Sequence, residues 1–258
     1  MVKINPNWWK TLFDETYLLT DARSVCDNEL TCWEVDFLEQ ALKFEKSSPI
    51  LDLCGGQGRH SLELSRRGFK DVTVLDYSNF LINQGKESAQ REGLKTIFIQ
   101  SDARNTGLPD QRYKFIIIMA NSFGYFIDEK EDEKVLREVF RLLMPGGFLL
   151  LDLPNKEYVL KNFSPQSWHK ANEEIVVCRQ RTLKEDVILG REMVISKIQG
   201  LIRDETYCAR LYSPEKISEL FRSVGFSSIT IQKDFVSHKK KGDYGSMTNR
   251  IIVIAQRP

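Results

Sequence analysis

The sequence lacks two features that would assign the chain to a membrane or to a polyanion. Its longest apolar runs, residues 115–120 and 148–151, fall far short of the roughly 18 residues that span a bilayer. Lysine and arginine total 37 against 36 acidic residues, so no general positive field attracts nucleic acid or anionic lipid. We therefore expect no membrane association, and nucleic acid is a disfavoured partner.

Paired cysteines and a targeting segment are also missing. The five cysteines form no C-x-x-C pair, and an odd number argues against a complete disulfide framework, so we expect free thiols and no metal site. The first ten residues carry Pro6 and two tryptophans where a secretory signal requires a basic start and a long apolar stretch. We expect the chain to be cytoplasmic.

The composition that remains is that of an ordinary globular protein. The chain has 258 residues, of which 41% are hydrophobic and 28% charged. This length suits one α/β domain with an insertion. We expect a single domain over residues 1–258, with amino-terminal helices in residues 1–48, a core in residues 49–153 and 213–258, and an insertion in residues 154–212.

The core alternates segments typical of strands and helices. Strands are predicted at residues 50–54, 72–76, 96–100, 114–120 and 147–153, and helices at residues 59–67, 79–91 and 129–143. Ser213 and Pro214 open a further helix that Gly225 closes, and residues 228–236 and 250–255 resemble a terminal hairpin. This order predicts an α/β fold with a doubly wound, seven-stranded, mostly parallel sheet and an antiparallel final strand.

Two regions lie outside this alternation. Apolar residues at helical spacing predict two amphipathic helices ahead of the core: Trp9, Phe13 and Tyr17, then Val35, Leu38 and Leu42. The insertion is long enough to need a structure and a purpose of its own. It contains three strand-like stretches, at residues 175–181, 187–198 and 201–212, with Gly200 suited to a tight turn. We expect an antiparallel β lid.

A glycine-rich turn follows the first predicted strand, in the segment ILDLCGGQGRH at residues 50–60. Glycines let the backbone approach a ligand closely, and the amides at the start of the next helix face that ligand. A dinucleotide fold of the dehydrogenase kind requires a third glycine where Ser61 stands, and a P-loop requires a lysine where Arg59 stands. Both of these alternatives are disfavoured.

Two acidic residues follow the next two predicted strands. Asp76 stands near the roughly 20-residue offset at which a carboxylate receives ribose hydroxyls. Asp102 is placed where its side chain can accept the adenine amino hydrogen. The pattern therefore predicts a ligand that contains a nucleoside.

Five segments, taken in order over residues 50–155, resemble the class I S-adenosylmethionine-dependent methyltransferases: LDLCGGQGRHSLEL, VLDYS, SDAR, ANSFGYF and LMPGGFLLLDLP. Family members usually read D-x-G-x-G-x-G at the first segment, and this chain has Cys54 at the first glycine. The resemblance implies a Rossmann-like methyltransferase fold with S-adenosylmethionine as cofactor. It implies cofactor contacts at Tyr17, Cys54, Gly55, Gly56, Gly58, Asp76, Tyr77, Asp102, Ala103 and Asn121.

The segment after the fourth predicted strand narrows the acceptor. Enzymes that methylate the exocyclic amines of nucleic-acid bases resemble one another in an Asp/Asn-Pro-Pro-aromatic motif, where this chain reads NSFGY at residues 121–125. The cysteine nucleophile expected for C5 methylation of pyrimidines is absent there too. The long insertion is similar to the lid of small-molecule N- and O-methyltransferases, including glycine and amino-sugar N-methyltransferases. We predict transfer to nitrogen or oxygen of a small metabolite, by a monomer or homodimer.

Candidates for acceptor contacts are aromatic or polar residues in or near the insertion: Tyr125, Tyr158, Trp168, His169, Arg210 and Tyr212. No general base is obvious, and Tyr125, His169 and Tyr212 are the candidate catalytic groups. Two alternatives stay open. Basic residues 238–241 would favour RNA or protein as the acceptor, and the missing base would suit a non-catalytic module that binds S-adenosylmethionine.

Overall fold

Seven strands form the central sheet of the computed structural model, which describes residues 3–236 and 247–258. Across the sheet the order is β10 (Ser227–Phe235), β11 (Arg250–Gln256), β5 (Leu143–Pro154), β4 (Tyr113–Ile118), β1 (Ile50–Leu53), β2 (Val72–Asp76) and β3 (Ile97–Gln100). Strand β11 runs antiparallel to both of its neighbours, and the pairs among β1 to β5 are parallel. The predicted mostly parallel sheet with an antiparallel last strand is confirmed.

Helices cover both faces of this sheet: α3 (Asn28–Leu42), α4 (Arg59–Arg66), α5 (Asn79–Glu92), α6 (Glu129–Leu142) and α8 (Pro214–Val224). Because alternate residues of a strand point to opposite faces, neighbours in β1 pack into different layers. Leu51 packs in the layer that contains α6 and α8, and Ile50 packs in the layer that contains α3. Both faces are therefore buried, as a doubly wound sheet requires.

The amino-terminal segment differs from the two helices predicted for it. A 3₁₀ turn at Trp8–Lys10 precedes two short helices, α1 (Glu15–Thr20) and α2 (Ala22–Val25), and only α3 is a long helix. The side chain of Asp14 accepts hydrogen bonds from the backbone amides of Thr16 and Tyr17. Because this cap starts a new helix between Phe13 and Tyr17, the apolar residues of this segment are not on one helix.

The insertion forms a second sheet beside the carboxyl ends of the core strands. A short helix, α7 (Lys156–Lys161), leads into four antiparallel strands in sequence order: β6 (Gln166–Lys170), β7 (Ile175–Lys184), β8 (Val187–Ser196) and β9 (Gly200–Arg210). The predicted antiparallel sheet is present, and its last three strands match the predicted stretches. Helix α7 and strand β6 were not predicted.

Among the helices of the described residues, none combines the length and apolar character that a membrane crossing requires.

Candidate active site

The turn after β1 brings three glycines close to other backbone and side-chain groups. Cys54 and Gly56 have positive φ angles of 60° and 58°, which turn the chain sharply. A Cβ atom added at Gly55 would lie 2.6 Å from Cγ of Asp52, and one at Gly58 would lie 2.7 Å from the ring of Phe98. No side chain larger than that of glycine fits at Gly55 or Gly58, which explains why the turn is rich in glycine.

Asp76, the last residue of β2, links this turn to the start of α5. Its Oδ2 accepts a hydrogen bond from the amide of Gly56 at 2.8 Å, and its Oδ1 accepts one from the amide of Ser78 at 2.8 Å. Burial raises the pKa of the Asp76 carboxyl, and the backbone hydrogen bonds oppose that change. The carboxylate is thus held in one orientation at the edge of the sheet.

The first cavity lies beyond the carboxyl ends of β1, β2 and β3 and measures about 1040 Å³ with its open mouth. Most of the predicted cofactor residues line it: Tyr17, Cys54, Gly55, Gly56, Asp76, Tyr77, Asp102 and Ala103. Gly58 instead packs against Phe98 beneath the turn. Asn121 lines a neighbouring space.

The second cavity, about 1560 Å³ with its open mouth, lies between the core and the insertion. Five residues predicted for the site line it: Tyr17, Asn121, Tyr125, Tyr158 and Arg210. It shares a wall with the first cavity, formed by Phe13, Tyr17, Val25, Ala120, Phe123 and Tyr125. Two ligands, one bound in each cavity, would be neighbours at this shared wall.

Two tyrosines stand at the shared wall. The ring of Phe13 stacks on Tyr125 at 5.8 Å and meets the ring of Tyr17 edge-on at 5.0 Å. Desolvation by burial raises the pKa of Tyr17 and of Tyr125. Both hydroxyls are therefore protonated at neutral pH, which does not favour a role as a base.

Three predicted acceptor residues line neither cavity. Trp168 is 69% exposed on β6, and His169 Nε2 lies 3.0 Å from the carbonyl oxygen of Thr20. The hydroxyl of Tyr212 is buried and donates to Asp132 at 2.8 Å. These three residues were predicted from residue type alone. In the structure, the position of the strand or a hydrogen-bond partner holds each side chain away from both cavities.

Arg210 reaches the second cavity but is committed to the protein itself. Its Nη2 donates to the carbonyl oxygen of Ile127 at 2.7 Å, and its Nε lies 3.4 Å from Asp132 Oδ2. It holds the loop after β4 against β9. The basic residues 238–241, which would have favoured RNA, lie outside the described residues.

Asp52 is a site residue that the sequence analysis did not single out. It lines the first cavity, and Ser61 Oγ donates to its Oδ2 at 2.8 Å. Its Oδ1 is buried and has no hydrogen-bond partner among the described residues. Burial raises the pKa of Asp52 to about 7. Its position as the acidic residue that opens the glycine motif could have identified it from the sequence.

A buried cluster of charged residues supports the turn from behind. Glu34 lies 2.6 Å from Arg59, 2.9 Å from His60 and 2.5 Å from Arg250. Arg250 also pairs with Asp152. Desolvation lowers the pKa of His60 to about 4, so its ring is neutral at physiological pH. This cluster ties α3, α4, β5 and β11 together beneath the site.

Comparison with known proteins agrees with this geometry. A sequence model described as a methyltransferase domain matches residues 50–147. A glycine/sarcosine N-methyltransferase from Halorhodospira halochloris is 30% identical over 217 residues, which cover 81% of this chain and 77% of that protein. The chain belongs to the class I S-adenosylmethionine-dependent methyltransferases.

Solved structures show the same fold at low sequence identity. A methyltransferase from Clostridium acetobutylicum has a TM-score of 0.73 at 19% identity, covering 93% of this chain and 96% of that one. The amino pentose methyltransferase CalS10 from Micromonospora echinaspora, solved with S-adenosylmethionine bound, has a TM-score of 0.61 at 15% identity, covering 90% and 91%. As a member of this family, the protein uses S-adenosylmethionine as its cofactor.

The first cavity fits the charge of that cofactor. Four carboxyl side chains line it, those of Asp52, Asp76, Asp102 and Asp132, against one guanidinium, that of Arg59. S-adenosylmethionine carries a sulfonium and an ammonium group, which such an excess of carboxylates suits. The unbonded Oδ1 of Asp52 is an acceptor in need of a donor. The small residues of the turn leave the space beside it open. Within the described residues, no group of three or more His, Cys, Asp or Glu could hold a metal ion.

Proposed function

We propose that this methyltransferase transfers a methyl group from S-adenosylmethionine to a nitrogen or oxygen atom of a small metabolite bound in the second cavity. The observation that carries the proposal is the shared wall, because it joins the two cavities where Tyr17 and Tyr125 stand. Transfer requires the acceptor atom about 3 Å from the methyl carbon and in line with the departing sulfur. Adjoining cavities support the proposal, because they would place the two ligands side by side.

The walls of the second cavity support a small acceptor. The amino-terminal segment contributes Trp8, the loop after β4 contributes Asn121, and the insertion contributes Ile188 and Tyr207. A space bounded on these sides suits a metabolite better than a folded RNA. The similar protein from Halorhodospira halochloris is named for glycine and sarcosine, which are small amines.

In this proposal each cofactor residue contacts a different part of S-adenosylmethionine. Asp76 accepts from the ribose hydroxyls, Tyr77 lies against the adenine face, and the ammonium group donates to Asp52. Asp102 and Ala103 border the adenine edge. Arg104 binds Asp102 at 2.5 Å and 3.0 Å, so this carboxylate is held in place while lone pairs remain for the adenine amino group.

The bound cofactor supplies a methyl group on positively charged sulfur, which makes it reactive without further activation. The protein's part is to orient and to exclude water. Ala120 and Asn121 both have positive φ angles, 58° and 60°, and the amide of Ala120 donates to Asp152 at 2.8 Å. Such a strained turn at the shared wall holds Asn121 beside the acceptor. A neutral amine needs no general base.

Aromatic residues of the amino-terminal segment cover the first cavity. The ring of Trp9 meets Tyr77 at 4.7 Å and Phe126 at 5.6 Å, and the Arg104 guanidinium lies 5.0 Å from its centroid. With the insertion on the other side, this cover would close both ligands away from water. We infer that the segment and the insertion act together as the lid.

The experiment is a transfer assay with methyl-labelled S-adenosylmethionine and three acceptor mixtures: a metabolite extract, total RNA and total protein. We expect label in the small-molecule fraction, at a rate that Asp76→Ala lowers and Asp71→Ala does not. Asp71 is the matched control, because it precedes β2 at its other end and pairs with Arg112 at 2.8 Å. Label in RNA or protein, or cofactor binding without any transfer, would contradict the proposal.

A further inference from the structure

A row of charged side chains of alternating sign begins at the second cavity, where Asp21, Arg179 and Glu192 line the wall. Arg179 Nη2 lies 2.8 Å from Asp21, and its Nε lies 2.7 Å from Glu192. Glu192 in turn lies 3.4 Å from Arg203, which pairs with Asp14. These five groups satisfy one another. They leave no net positive charge with which to hold an acceptor.

Arg181, two residues along β7 from Arg179, is different. It lines the second cavity and is partly buried, yet no carboxylate of the described residues lies within 4.0 Å of its guanidinium. Its Nε donates to the hydroxyl of Tyr207 at 3.1 Å. The two terminal nitrogens make no hydrogen bond within residues 3–236 and 247–258. A guanidinium with two unbonded terminal nitrogens can form a bidentate contact with an oxyanion.

Gly190 makes this arrangement possible. The strand registers place Arg181, Gly190 and Tyr207 side by side across β7, β8 and β9. A Cβ atom at position 190 would overlap the ring of Tyr207. The missing side chain therefore lets that ring lie across β8 and reach Arg181. The other edge of the ring faces Trp8, with centroids 6.2 Å apart.

We propose that the methyl acceptor carries an oxyanion, a carboxylate or a phosphate, and that Arg181 binds it through its two terminal nitrogens. This inference rests on the proposed function and names the chemical class of its acceptor. Tyr207 is the positioning residue, because its hydroxyl orients the guanidinium without using the nitrogens that face the ligand. A neutral acceptor would leave a partly buried cation without a partner, which disfavours its binding.

The test uses two simple oxyanions as probes. Protein saturated with S-adenosylhomocysteine, the demethylated cofactor, is titrated with ¹³C-acetate and with inorganic phosphate at constant ionic strength. Binding is followed by ¹³C and ³¹P NMR line broadening. We expect saturable binding of at least one probe, weakened at least about tenfold by Arg181→Gln and partly restored by Arg181→Lys. A preference for acetate or phosphate would identify the anion.

Arg191→Gln is the matched control, because Arg191 lies on the neighbouring strand and pairs with exposed Asp204 at 2.5 Å. It should bind the probes as the unmodified protein does. No saturable binding, or equal binding by Arg181→Gln, would overturn the proposal. Affinity for S-adenosylhomocysteine is measured separately, and the titrations are repeated without it. If the unmodified protein does not bind S-adenosylhomocysteine, the proposed function is contradicted. The anion titrations decide the role of Arg181.

Discussion

The two cavities are built in different ways. The first is shaped by backbone: a glycine turn, the carboxyl ends of three parallel strands, and amides that donate to Asp76. The second is shaped by side chains from segments far apart in the chain, from Trp8 to Thr248. Backbone geometry at a strand end serves any acceptor, whereas side chains on an insertion can change with the substrate.

Charge separates the two cavities as well. Asp52, Asp76, Asp102 and Asp132 line the first, with Arg59 as the one guanidinium, and this excess of carboxylates suits a cationic cofactor. In the second, Arg179 is neutralised by its neighbours and Arg181 is not. On our proposals, the protein presents carboxylates to the cofactor and a guanidinium to the acceptor. Substitutions on either side should therefore affect one ligand and spare the other.

The largest effect is expected for Asp76→Ala. The change removes the carboxylate proposed to receive two ribose hydroxyls, and hydrogen bonds to a charged group contribute about 1.5–3 kcal/mol. Calorimetry should show S-adenosylhomocysteine bound about 100-fold more weakly. Asp71→Ala should leave this affinity unchanged, and equal losses in both variants would indicate a general structural effect instead.

A smaller effect is expected from pH. Burial raises the pKa of Asp52 to about 7 in the free protein. The ionised carboxylate attracts the ligand ammonium, whereas the protonated, neutral carboxyl does not carry the charge for this attraction. Its ionised fraction rises between pH 6 and pH 8, so affinity for S-adenosylhomocysteine should rise about tenfold across that range. The same calorimetric series on Asp52→Asn should be flat. A slope that survives this substitution would assign the pH dependence to another group.

Gly190→Ala should act on the acceptor side alone. The new methyl group displaces the ring of Tyr207, so Arg181 loses its orienting hydrogen bond. We expect acetate or phosphate to bind a few-fold more weakly in the NMR titration, with affinity for S-adenosylhomocysteine unchanged. Gly200→Ala is the control: its φ of +79° means that alanine adds local backbone strain, but no atom lies within 4 Å of the added carbon, so anion binding should stay as it was.

The smallest effect is expected at the outer surface of the insertion. The pair between Arg191 and Asp204 is largely exposed, and solvent screens most of the attraction in exposed pairs. Arg191→Gln should therefore leave the midpoint of unfolding in urea almost unchanged. A marked decrease would mean that the insertion sheet depends on its surface charges more than this account allows.

The parts of the molecule that sequence predicted well are those with local causes. The buried strands β1, β2 and β4 and the turn at Gly56 follow from short-range hydrophobic patterns and from glycine spacing. Strand β6 was missed because its sequence, QSWHK, alternates without an apolar face, and Trp168 on it points to solvent. Its pairing with β7 comes from tertiary context.

Site residues of the second cavity depended on partners that no local pattern reveals. Arg179 and Arg181 look alike in the sequence, yet Arg179 meets Asp21, far away along the chain, and Arg181 meets Tyr207. Tyr212 was a candidate by residue type, but its hydroxyl bonds to Asp132. Only folding decides which polar side chains are satisfied by the protein and which are left for a ligand.

The most direct test of the account is a crystal structure with S-adenosylhomocysteine. We expect the ribose beside Asp76 and the adenine against Tyr77, with the sulfur at the shared wall between Tyr17 and Tyr125, facing the second cavity. A ligand in the second cavity, or a sulfur turned away from the shared wall, would contradict the claim that methyl transfer takes place where the two cavities meet.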